Sequence, residues 1–117
     1  MDIRAQYAPL RDQLDAEIAE ILDTGAFILG PRVKAIESEV SVRLENRPCV
    51  GVANGTDALE IALRALDIGP GHEVITVSHT AVATVAAIEA AGATPVLVDI
   101  DPRYFTLNPA QLDEVLT

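Results

Sequence analysis

The sequence predicts an α/β fold: a mostly parallel sheet with flanking helices. Three observations carry that expectation. From residue 49 onward, short aliphatic runs alternate with helical periodicities, which is the signature of strand–helix–strand units. The connections between them are short and regular, as parallel strands with right-handed crossovers require. The apolar content is aliphatic, with two Phe, two Tyr and no Trp, and this suits buried parallel strands and the helices that cover them. The 117 residues are 50% hydrophobic and the mean hydropathy is +0.28, so the chain folds rather than staying disordered. A chain of this size forms one modest domain that buries about 65% of its unfolded surface.

The first half reads as helical. Leu10, Leu14, Ile18, Ile21 and Leu22 recur on one face and predict a helix over 9–23, stopped by Thr24 and Gly25. A loop follows that carries Phe27 and Ile28 between two glycines. Pro31 stands near the start of a second helix over 32–45, with Val33, Ile36, Val40 and Leu44 inward. Asn46, Arg47 and Pro48 break that pattern.

The second half is organised differently. It reads as a strand over 49–53, a helix over 56–66, a tight turn over 68–71, a strand over 73–77, a helix over 81–91 and a strand over 94–98. Asn108 and Pro109 then suit the cap and first position of a last helix over 109–116. The break near Pro48 thus divides a helical N-terminal arm, 1–48, from a βαβαβ core, 49–117. Three parallel strands make a thin sheet where a complete doubly wound domain has more, so the sequence is expected to be cut from a larger domain.

The formal net charge is −10, and Lys34 is the single lysine. Nucleic-acid binding through phosphate neutralisation is excluded, because it needs a basic stripe. No apolar run reaches the roughly 18 residues of a membrane span, and the N-terminus lacks a signal-peptide pattern. The lone Cys49 rules out an internal disulfide and fits a reducing compartment, so a cytoplasmic location is expected.

In so acidic a chain an anion needs a local device. The turn of Asn54, Gly55 and Thr56 supplies one, because it opens into a helix whose first backbone N–H groups are unpaired. Gly55 has no Cβ to bar a close approach, and Thr56 offers either a helix cap or a hydroxyl donor. Asn54 or Thr56 acting as a plain cap is the competing reading. Asp57 opposes an anion unless it points away.

His79 follows a strand, at the carboxyl edge where open α/β sheets bind ligands. It presents a flat ring there, or else caps the next helix or hydrogen-bonds within the loop. Tyr7 and Phe27 are half of the aromatic residues and serve either as a lid or subunit contact or as anchors of the arm. His72 reads as a turn residue, Cys49 as core, and Asp99 and Asp101 as turn formers rather than metal ligands. Neither a G-x-G-x-x-G dinucleotide fingerprint nor a Walker A loop is present in the sequence.

With these residues in place, the chain resembles the DegT/DnrJ/StrS family of sugar aminotransferases. The matching segments are GAFILGPRVKAIESEV, GVANGTDALEIALRAL, IGPGHEVI and SHTAVATVAAIEAAGATPVLVDIDP, in this order and at these spacings. The resemblance implies the N-terminal portion of the large domain of the pyridoxal-phosphate-dependent transferase fold type I. It also implies a cofactor phosphate on the backbone amides of Gly55 and Thr56. Many members carry an S-F-T-(aromatic) run where this chain has Ser78, His79, Thr80 and Ala81, so His79 is the expected substitute for the ring that stacks on the cofactor. Tyr7, Phe27 and Gly30 match arm residues that line the sugar-nucleotide side of the site in some relatives.

The implied activity is amino transfer from glutamate or glutamine to a nucleotide-linked keto sugar, by a homodimer. The family mechanism needs a Schiff-base lysine and an aspartate beside the pyridine nitrogen, and both lie beyond residue 117 in relatives. Lys34 precedes the phosphate turn and is not that lysine, so no catalytic residue is expected in this chain and by itself it should be inactive. Two alternatives stay open. One is a pyridoxal-phosphate-dependent sugar dehydratase of the same fold. The other, should the chain be naturally this short, is a non-catalytic cofactor- or ligand-binding protein.

Overall fold

The computed structural model describes residues 2–116; Met1 and Thr117, the outer ends of the two expected segments, lie outside the described residues. The chain divides into two compact units, one ending at Gly51 and the other beginning at Val52.

The first unit is helical. Helix α1, Ile3–Tyr7, is capped by Asp2, whose carboxylate accepts from the amides of Arg4 at 3.0 Å and Ala5 at 3.4 Å. A 3-10 turn, Ala8–Leu10, leads into α2, Arg11–Thr24. Helical structure therefore starts before the expected residue 9. Pro9 sits in the first turn of the 3-10 segment, where its missing N–H costs nothing. Gly25 ends α2 in the left-handed region at φ 66° and donates its N–H to the Ile21 carbonyl at 3.0 Å.

Helix α3, Pro31–Arg43, has proline in its first turn, as expected. It stops short of residue 45 because Glu45 and Asn46 are both left-handed, at φ 57° and 63°. The Asn46 N–H returns to the Ser41 carbonyl at 2.8 Å and closes the helix end.

The strand expected over 49–53 does not form. A strand exists only when a neighbour completes its ladder, and among the described residues the two-stranded ladder involves other segments. The Gly51 N–H instead donates to Glu37 Oε1 at 2.7 Å.

The second unit holds the sheet. Helix α4, Gly55–Ala65, is followed by β1, Glu73–Val77, then α5, Val82–Ala91, and β2, Thr94–Val98. The two strands pair in parallel, with Glu73 opposite Thr94 and Val77 opposite Val98. The pairing extends at both ends, through Thr94 N–H to the His72 carbonyl at 2.9 Å and Ser78 N–H to the Val98 carbonyl at 3.1 Å. Gly71, at φ 89°, makes the turn into β1. Gly92 ends α5 at φ 88°, and a Cβ there would meet the Pro70 ring at 3.1 Å.

The buried apolar side chains are Ala87, Ile88, Ala91, Ala93 and Val98. All lie on α5, on β2 or in the turn between them. Small residues on α5 allow close approach, and α4 packs along that helix. Arg64 adds a tie by donating to the Ala90 carbonyl.

Beyond β2 the chain turns back through a bridge between Ile100 and Leu107. The expected helix over 109–116 is a 3-10 turn, Pro109–Gln111, continued by α6, Leu112–Val115, with Asn108 as its cap.

Candidate cofactor phosphate site

The chain reverses at both ends of β1, before its amino end and after its carboxyl end. The connection over 66–72 turns the chain from α4 into β1, and the loop over 78–81 turns it from β1 into α5. The start of α4 and the loop carrying His79 therefore both belong to the carboxyl edge of the sheet, where ligands bind in open α/β folds.

At the start of α4 the cap is Asn54, in extended conformation at φ −161° and ψ 175°. Its Oδ1 accepts the Asp57 N–H at 2.9 Å, and its carbonyl accepts the Ala58 N–H at 3.1 Å. That leaves the amides of Gly55 and Thr56 without an acceptor among the described residues. The Thr56 hydroxyl also has no hydrogen-bond partner among them, so Thr56 is not the cap but stands at the second helical position, half-buried.

A Cβ built on Gly55 would meet no atom within 4 Å, and its φ is not positive. Neither packing nor backbone conformation calls for glycine there. Glycine nonetheless weakens a helix by up to about 1 kcal/mol relative to alanine. The space outside the backbone there is open, which leaves the free amides accessible to an anion.

The Asp57 carboxylate is drawn to the cap. Asn54 Nδ2 donates to Asp57 Oδ2 at 3.1 Å. Sequence reasoning named Asn54 only as a possible cap and missed this second bond; its signal was an Asn three residues ahead of an acid.

His79 is exposed in the loop between β1 and α5. That loop is tied by Thr80 and Thr84, whose hydroxyls lie 3.0 Å apart, and Ala81 caps α5 without a side-chain bond. His79 thus does not cap the helix. Asp101 Oδ1 accepts the amides of Arg103 at 2.7 Å and Tyr104 at 3.1 Å, and Asp99 Oδ1 accepts the Ile100 amide at 2.8 Å, so both carboxylates shape the turn after β2. His72 serves the turn before β1, where its Nδ1 accepts the Gly69 N–H at 3.2 Å.

Tyr7, Phe27 and Gly30 belong to the first unit. Tyr7 ends α1 and is 38% exposed, with the Arg11 guanidinium 5.8 Å from its ring centroid. The hydrogen bond from Arg11 to Asp15, at 3.2 Å, raises the Arg11 pKa further above its ordinary value, so it stays charged throughout the working pH range. Phe27 is 66% exposed, beside the exposed Ile28 and Leu29. Leu29 is left-handed at φ 51°, a conformation that costs an L-residue about 1–2 kcal/mol. Gly30 caps α3, and its own packing demands glycine, since a Cβ would lie 2.6 Å from the Ala26 carbonyl oxygen.

The arrangement is the N-terminal portion of the large domain of a pyridoxal-phosphate-dependent fold type I transferase. Residues 9–117 match the DegT/DnrJ/EryC1/StrS aminotransferase family, and the chain belongs to it. A similar relative is a UDP-N-acetyl-3-dehydro-alpha-D-glucosamine 3-aminotransferase from Acidithiobacillus ferrooxidans, 47% identical over 100% of this chain and 32% of that protein. Among solved structures, Streptomyces venezuelae DesV in complex with a ketimine intermediate superposes with a TM-score of 0.91 at 45% identity, over 99% of this chain and 31% of that one. NtdA from Bacillus subtilis, with bound cofactor PMP, gives a TM-score of 0.84 at 35% identity, over 92% of this chain and 25% of that one. The chain thus spans about a third of the length of the curated relatives it matches.

Proposed function

We propose that the protein is a pyridoxal-phosphate-dependent aminotransferase that moves an amino group from glutamate or glutamine to a nucleotide-linked keto sugar. In this reading it works as a cytoplasmic homodimer. Residues 1–48 are an N-terminal arm, and 49–117 are the first part of the cofactor-binding domain. The observation that carries the proposal is the pair of free amides at Gly55 and Thr56, beside a position that stays open to solvent, in a chain of this family. Among the described residues no helix is long and apolar enough to cross a membrane.

The residues divide the work by position. The amides of Gly55 and Thr56 and the Thr56 hydroxyl hold the phosphate, with the helix dipole favouring its charge. His79 supplies a ring face from the neighbouring loop. Tyr7, Phe27 and Gly30, on the first unit, are the residues proposed to recognise the sugar nucleotide. Bound there, pyridoxal phosphate supplies the electron sink for amino transfer. Lys34, exposed on α3, takes no part.

The test uses protein expressed from its complete reading frame and loaded with cofactor. Incubated with glutamate and a UDP-linked 3-keto sugar, it should release 2-oxoglutarate and yield an amino sugar, identified by mass. Loss of water from the sugar without amino transfer would support the dehydratase instead. Failure to retain the cofactor would overturn the proposal.

A further inference from the structure

We infer that Asn54 is a positioning residue that keeps the phosphate site free of its own carboxylate. The inference rests on the phosphate reading above and deepens it. Asp57 stands two positions after the first free amide, on the first turn of α4. A carboxylate there is drawn to the same positive helix end that would hold an anion. Left unrestrained, it would compete for the Gly55 and Thr56 amides or repel a phosphate near them.

Asn54 removes that competition with one side chain. Its Oδ1 takes the Asp57 N–H at 2.9 Å and its Nδ2 binds Asp57 Oδ2 at 3.1 Å. The carboxylate is thereby turned back onto the cap, and the cap bond uses the third amide of the helix rather than the first two. Serine or aspartate would cap the same amide equally well. Neither carries an amide NH2 group to hold the carboxylate. What sets asparagine apart is that donor. Asn54 thus acts on the phosphate through Asp57 and need not touch it.

The experiment compares dissociation constants for pyridoxal phosphate and for pyridoxal, which lacks the phosphate, in cofactor-stripped protein from the complete reading frame. Asn54→Ser should weaken pyridoxal phosphate about five- to tenfold, the scale of one poorly screened like charge, and leave pyridoxal unchanged. Adding Asp57→Asn to that variant should restore most of the loss, because the charge to be restrained is gone. Asn54→Asp, an isosteric and well-tolerated cap, is the second probe and should weaken pyridoxal phosphate more than serine does.

Two outcomes overturn the inference: unaltered pyridoxal phosphate affinity in both Asn54 variants, or no recovery when Asp57 is neutralised, which would make Asn54 a cap only. The phosphate reading has its own control. If Gly55→Val leaves pyridoxal phosphate binding unchanged, that reading fails, whatever the Asn54 variants do.

Discussion

The two units bury their apolar residues in opposite ways. Among the described residues, the second unit contains all five buried apolar side chains, with Ile88 at 3% exposure. The first contains none among the described residues, and Ile18 and Leu22, on the apolar face of α2, remain 52% and 62% exposed. Both regions carry helices with recurring aliphatic positions. The difference is that β1 and β2 give α5 a surface to cover, whereas among the described residues of the first unit Ile21, Val33 and Val40 on the corresponding stripes reach only half-burial. Amphipathic periodicity marks which face seeks cover; it does not supply the cover.

The largest effect that sharpens this contrast should come from Ile88→Ala. Removing a buried aliphatic side chain costs about 2–4 kcal/mol, read as a lower urea midpoint by circular dichroism. A cost below about 0.5 kcal/mol would show that the second unit has no working core and break the contrast.

The glycines extend the comparison. Gly30→Ala in the first unit should cost about 1–3 kcal/mol, because its Cβ would press on the Ala26 carbonyl; the same urea titration reads it. Gly55→Val in the second should leave that titration nearly unmoved, since no atom lies within 4 Å of the added Cβ. It should instead weaken pyridoxal phosphate roughly tenfold, about 1.4 kcal/mol, in an absorbance titration of the complete protein. The smallest effect belongs to Leu22→Ala. In the 117-residue chain it should stay within about 0.5 kcal/mol, and a loss matching that of Ile88→Ala would mean that α2 is covered after all.

Much of the fold was legible in the residues. Both strands fall at their expected bounds, because short aliphatic runs set between turn residues have few alternatives. Gly25 stops α2 as expected, since left-handed backbone favours glycine. The early end of α3 was hidden, because its left-handed residues are Glu45 and Asn46 and no glycine marks the place. The segment over 49–53 misled for a different reason. Its composition suits a strand, but strand structure is a property of a pair of segments, and composition does not name the partner.

The site was partly legible in the same sense. The spacing of Asn54, Gly55 and Thr56 announced a helix start with an open approach, because capping is local chemistry within a few residues. Its electrostatic state was not announced. Whether the Asp57 carboxylate faces the free amides or the cap depends on a side-chain hydrogen bond, and a string of residue types does not specify a rotamer. Gly30 and Gly55 likewise look alike as letters. Their difference lies in what surrounds them, a carbonyl oxygen at 2.6 Å in one case and open space in the other.

Local rules acting along the chain were therefore enough for the longer helices apart from their ends, for the two paired strands and for the family to which they belong. Interactions between distant segments set the rest: where the buried core lies, that residues 49–53 form no strand, and which glycine is required by packing and which borders open space. The reason is physical. Caps and periodicity depend on neighbours a turn away, whereas burial and pairing depend on atoms that only folding brings near.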